Sequence, residues 1–131
     1  MDMSSVFSAL RPVIKFSTAS LGSSLRKYMN YIALFFAGLF LCNCIPHLVC
    51  GLKGEPFPTP FATPRGVGNS SPLLNFFWGI FNLVVGSVLL SYFPVQVGIN
   101  VECIAFLAGS LAIGVYLSLH FGKVRATLHG K

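Results

Sequence analysis

The residues best suited to chemistry crowd one short stretch, Cys42, Cys44, His47 and Cys50, with Glu102, Cys103 and His120 far downstream. Closely spaced thiols and an imidazole suggest a soft metal site or a redox pair. The spacing argues against both. Cys42 and Cys44 point to nearly opposite sides of a helix, and no Cys-x-x-Cys motif is present. Cys44, His47 and Cys50 share partial helical register but offer three ligands at best, with Pro46 disturbing their geometry. A free cysteine also serves commonly as a small core hydrophobe. No metal is therefore expected.

The elements that carry these residues are membrane helices. The chain has 131 residues, 54% of them hydrophobic and 9% charged, with a mean hydropathy of +0.76. Soluble domains carry about 25% charged residues, so this chain could not cover a water-facing surface. Three runs, 28–50, 72–93 and 101–121, contain no Lys or Arg and reach the roughly 20 residues that cross a hydrocarbon core. The expected fold is an all-α integral membrane bundle of about three transmembrane helices, with an interfacial amphipathic helix over 1–27. A Pro/Gly loop at 51–71 and a basic tail at 122–131 complete it. Tyr28 and Tyr31 mark the entrance of the first span at headgroup level. Pro46 should kink or end that span before His47, placing His47 near the interface. Ser71 and Pro72 make an N-cap and first-turn pair for the second span.

Small and amide side chains stand out inside the spans. Asn75, Gly79, Asn82 and Gly86 recur at steps of four, three and four, so they share one helix face. Such a face reads as a packing seam, since small residues admit a neighbouring helix and amides bond across it. A polar pathway for a substrate is the competing reading, and two amides without a charge make a poor conduit. In the third span Glu102, Ala105, Gly109, Ala112 and Tyr116 form a similar stripe. The short turn at 94–98 predicts an antiparallel hairpin of spans two and three, with Asn100 capping the third and each seam facing the other or the first span. Glu102 is the only acid near a span, a functional hypothesis by default. Its place in the first helical turn favours the simpler role of a carboxylate at the positive end of the helix dipole.

Outside the spans the chain is basic, with a net charge of +6. Val6, Phe7, Leu10, Val13, Ile14 and Leu21 fall on one side of a helical wheel, opposite Arg11 and Lys15, a pattern suited to lying on an anionic bilayer. The same Ser-rich, acid-poor stretch also fits a transit peptide or a disordered extension. Basic residues divide almost evenly between the two membrane sides, so the positive-inside rule sets no orientation. Nothing resembles a nucleic-acid module.

One constellation survives this topology. His47, Asn75 and His120 come out near the same membrane face beside the loop. Two histidines from different helices could ligate haem or bond a quinone. Alternatively, each is satisfied by water or backbone. In the loop, Pro56, Pro58, Pro60 and Pro64 predict a stiff polyproline-like strand with Phe57 and Phe61 as anchors. Arg65 is its best donor for a phosphate headgroup or a carboxylate, and a site of Arg65, Glu55 and His47 is conceivable beside a purely structural clamp. The glycines lack the spacing of a phosphate-binding loop.

The run IPHLVCGLKGEPFPTPFATPRGVGNSSPLLNFFWGIFNL and the later LHFGKV resemble a group of small uncharacterised bacterial multi-span membrane proteins. Pro-His, Pro-Thr-Pro-Phe-Ala and Ser-Ser-Pro recur in them. The resemblance implies a bacterial inner-membrane protein and carries no activity. The resulting expectation is a structural, accessory or interaction component, not an enzyme, with no cofactor. Its partners would be the lipid bilayer and another membrane protein or further copies of itself, with no nucleic acid. A redox anchor holding haem or quinone at His47 and His120 is the main alternative, and an oligomeric transporter or channel the second.

Overall fold

The computed structural model describes residues 3–129, with side chains from 21 to 127. Its elements are α1 (Met3–Lys53), β1 (Phe57–Pro58), β2 (Asn69–Ser70), α2 (Pro72–Tyr92) and α3 (Val101–His129). Leu21–Lys53, Pro72–Tyr92 and Val101–Thr127 are each long and apolar enough to cross a membrane. The protein is thus an all-α bundle of three candidate spans. No turn separates the expected N-terminal helix from the first span; they form one helix of 51 residues. The apolar face proposed for residues 1–27 falls mostly on side chains outside the described residues. Arg26 and Lys27 end the apolar run without ending the helix, because both are good helix formers.

Pro46 does not end α1, which continues for seven residues to Lys53. One forfeited backbone hydrogen bond is tolerable where neighbouring elements support the turn. Here His47 and Gly51 are packed against α2. The true stop is Gly54, whose φ of 72° is costly for residues bearing a Cβ. Gly54 N–H donates to the Gly51 carbonyl at 3.2 Å and Glu55 N–H to the Cys50 carbonyl at 2.9 Å. This is a Schellman ending. The start of α2 matches the sequence signal, with Ser71 Oγ accepting from Leu74 N–H at 3.3 Å and Pro72 in the first turn.

Helix α1 is the central element. Antiparallel α2 packs on one side of it and parallel α3 on another, while no packing of comparable extent joins α2 to α3. The expected hairpin of spans two and three is therefore only a connection, not an interface. Asn75, Gly79, Asn82 and Gly86 are the buried residues of α2, and they face α1. A Cβ on Gly79 would meet Leu48, and one on Gly86 would meet Leu41. Between them Asn43 Nδ2 donates to Asn82 Oδ1 at 3.0 Å, a contact worth about 1 kcal/mol in a membrane. On α3, Gly109 is buried and Ala105 half-buried, whereas Ala112 and Tyr116 are exposed. The seam expected through Ala112 turns instead along Ser110, Ile113, Leu117 and Phe121, all half-buried. Glu102 accepts from Asn30 Nδ2 at 3.2 Å, so the one acidic residue in a span ties α3 to α1.

Two outcomes follow. Gly86→Leu should destabilise the bundle by roughly 1–3 kcal/mol through overpacking, whereas Leu83→Phe on an exposed face should stay within about 0.5 kcal/mol. Thermal or detergent unfolding followed by circular dichroism reads both, and equal tolerance would refute the seam. In a cysteine-free background, Val67→Cys and Val97→Cys, both at exposed positions, should label with an impermeant thiol reagent from opposite membrane sides. Labelling of both from one side would refute the three-span topology.

Candidate functional site

The loop does not run out as a polyproline strand. After Pro58 the chain folds back, and β1 and β2 pair antiparallel with Phe57 opposite Ser70. Three features close it. The Thr59 carbonyl accepts from Ala62 N–H and Gly66 N–H, both at 3.1 Å, and Thr59 Oγ1 lies 2.6 Å from Ser70 Oγ. The Pro64 carbonyl accepts from Val67 and Gly68 N–H at 3.1 and 2.8 Å. Proline fixes its own φ, but these backbone bonds decide the path around it.

Asn75 holds this hairpin to the helices. Fully buried, its Nδ2 donates to the carbonyls of Phe57 at 2.8 Å, Ser70 at 3.2 Å and Ser71 at 3.1 Å. Three carbonyls around one nitrogen fix the amide orientation, so Oδ1 faces His47 Nδ1 at 2.8 Å as acceptor. His47 is therefore the Nδ1–H tautomer in its neutral form, and its Nε2 is left as an acceptor. At 2% exposure it is satisfied by a side chain, not by the water or backbone that its expected interfacial position implied. His120 follows the backbone expectation, with Nε2 donating to the Gly66 carbonyl at 2.7 Å.

Aromatic rings complete the clamp. Phe57 is buried with its centroid 4.5 Å from Phe121 on α3 and 5.4 Å from His47 on α1. Phe61 is exposed, yet packs edge-on to Trp78 of α2 at 5.1 Å. His120 stacks on Tyr116 with centroids 5.6 Å apart. The hairpin thus touches all three helices.

Beneath it lies a cavity of about 160 Å³ bordered by His47, Thr59, Trp78, Tyr116, His120 and Phe121 among others. His47 and His120 come together there, with Asn75 directly behind His47. Arg65 does not line the cavity and is exposed on the loop. Glu55 pairs instead with Lys53 at 2.7 Å, so Arg65, Glu55 and His47 do not form one site. Trp78 is the residue that sequence reasoning missed. Its Nε1 is the one buried side-chain polar atom without a hydrogen-bond partner among the described residues. A single Trp near the loop end of a span was the available signal.

The cysteines do not join this cluster. All four are free, and Cys44 Sγ donates to the Leu41 carbonyl at 3.0 Å. Among the described residues no group of three or more His, Cys, Asp or Glu side chains is placed to hold a metal ion. A larger groove of about 440 Å³ runs between α1 and α3 past Cys42, Ile45, Pro46, Leu117 and Phe121. Its mainly apolar wall suits lipid chains, and the wall of the smaller cavity is more apolar still.

No protein-family model matches the chain, and neither a curated protein nor a solved structure matches it.

Proposed function

We propose that the protein is a structural, accessory or interaction component of a bacterial inner membrane, with no chemistry of its own. One observation carries this reading: the polar side chains near the loop are engaged in holding the chain together. Asn75, His47, Thr59, Ser70 and His120 bond to one another or to loop carbonyls. What the bundle offers outward is apolar, especially on α3, where Ile104, Leu107, Leu111, Val115 and Leu119 are exposed. That surface suits lipid and a partner helix, and the sequence resemblance supports the bacterial setting.

Purification in mild detergent tests it. The expected result is a colourless protein in a stoichiometric complex, either with another membrane protein or with its own copies, visible by native mass spectrometry. A haem-like absorption band lost in His47→Ala or His120→Ala would overturn it.

The redox alternative draws on His47 and His120 lining one cavity. At about 160 Å³ that cavity is below the roughly 300–1,000 Å³ usual for cofactor pockets, so it does not fit a haem. A single ring is the most it takes.

A further inference from the structure

The groove between α1 and α3 has a length, a width and a charge at one end that together specify an occupant. It runs from Gly114 to Arg125 on α3 and past Cys42 and Ile45 on α1. The eleven steps from Gly114 to Arg125 rise about 16 Å, close to half of the roughly 30 Å hydrocarbon core. Spread along that length, about 440 Å³ leaves a cross-section of about 27 Å². A helix about 10 Å across covers roughly 80 Å² and cannot enter, whereas an extended hydrocarbon chain can.

The floor of the groove is open because α3 carries small residues there. Nothing lies within 4 Å of a Cβ placed on Gly122, and at Gly114 the contact is Cys42 Sγ at 3.5 Å. Ser118 is exposed, but its hydroxyl donates to the Gly114 carbonyl at 2.8 Å and so asks nothing of a ligand. The groove continues toward the other leaflet past Leu107 and Leu111, where no charged residue borders it. The loop-side end differs. Arg125 is exposed there, and α3 carries Lys123 nearby and no acid after Glu102. Glu55, the one acid of the loop, pairs with Lys53. A guanidinium has five N–H donors in a fork that matches two phosphate oxygens, so a phosphate joins the contacts Arg125 already makes. A zwitterionic headgroup brings an ammonium to the same basic end and loses part of that attraction.

We propose that the α1–α3 groove holds one acyl chain of an anionic phospholipid from the loop-side leaflet, with its phosphate on Arg125. The site goes beyond the accessory reading and does not rest on it, since the lipid is held whether or not a partner joins the bundle.

Native mass spectrometry of the full chain, released from nanodiscs of equal parts phosphatidylglycerol and phosphatidylethanolamine with matched chains, tests it. The expected spectrum shows a single retained lipid, phosphatidylglycerol over phosphatidylethanolamine by about tenfold, the ratio that a charge-assisted hydrogen bond supports. Gly122→Leu, whose Cβ meets nothing in the protein, fills the groove and should remove the retained lipid of either kind. If that variant loses helical content, Ser118→Leu on the same floor replaces it. Arg125→Gln should keep a lipid in the groove and bring the ratio close to one, while Arg65→Gln, exposed on the loop, should leave the preference intact. Retention unchanged in the filled variant would overturn the site. So would a preference lost equally in Arg65→Gln, the mark of a diffuse basic surface. A dimer of the native chain that Gly122→Leu dissociates would assign the groove to a second copy and sink the lipid site.

Discussion

Asn75→Leu is expected to release the loop from the bundle and destabilise the protein by about 3 kcal/mol or more. Leucine is of similar size and suits an apolar surrounding but removes every side-chain bond that Asn75 makes. The carbonyls of Phe57 and Ser70 then lose a buried donor, and His47 Nδ1–H loses its acceptor. The Ser71 carbonyl suffers less, since it also accepts from Asn75 N–H at 3.0 Å, a backbone bond that leucine retains. Each orphaned buried group costs roughly 1–3 kcal/mol, and two or three of them give the stated total. Arg65 is exposed at the loop tip, so trypsin cleavage there measures release of the hairpin. Cleavage should accelerate sharply in Asn75→Leu. Asn75→Asp distinguishes the donors from the acceptor. A carboxylate still accepts from His47 but cannot donate to the carbonyls, so the loop should stay cleavable. Loop protection at the native level in Asn75→Asp would refute the hairpin anchor.

The parts of this arrangement that were legible in the sequence are those where a residue type contradicts its surroundings. Asn75, Gly79, Asn82 and Gly86 are polar or small within an apolar run, and a membrane helix has little reason to carry them except at a contact. All four are buried. Ser71 and Pro72 announce the start of α2 through a cap whose chemistry is local. Signals that depend on tertiary context were read less well. Pro46 and Gly54 are both helix breakers on paper, and only packing against α2 lets the helix run through the first to the second. Gly38 and Gly51 gave no period to detect, although each is a point of close helix approach. Asn43, which bonds Asn82 across the bundle, was not singled out, because an amide in lipid calls for a partner without naming it. The hairpin was hidden because its bonds join Thr59 to Ser70 and Phe57 to Asn75, pairs that no local rule connects. Trp78 was visible as a residue, but an unsatisfied indole can only be recognised once its surroundings are known.

Gly109→Leu is expected to detach the middle of α3 from α1. At this crossing the backbones themselves touch. A Cβ on Gly109 would fall within the Phe35 carbonyl oxygen, and one on Gly38 within that of Phe106. A side chain meeting another side chain can find a new rotamer, but a carbonyl oxygen fixed in a helix cannot move aside. The cost should therefore exceed the roughly 1–3 kcal/mol of ordinary overpacking, and it is relieved only by separating the helices. Little else resists that separation. Only 6% of the most apolar window of α3 is buried, and Ser110 Oγ donates to the Gly38 carbonyl at this same crossing. The Asn30–Glu102 bond and the Phe57–Phe121 contact would hold the two ends while the centre opens. A disulfide can report the register. A Cβ at Gly114 would lie 3.5 Å from Cys42 Sγ, close enough for a bridge after a small adjustment. With Cys42 retained as the only other cysteine, Gly114→Cys should crosslink efficiently under mild oxidation. Adding Gly109→Leu should abolish that crosslink while α1 and α2 keep their helical content. Gly86→Leu, on the opposite side of α1, should leave it intact. A crosslink that survives Gly109→Leu at full yield would mean that α3 does not approach α1 through its glycine.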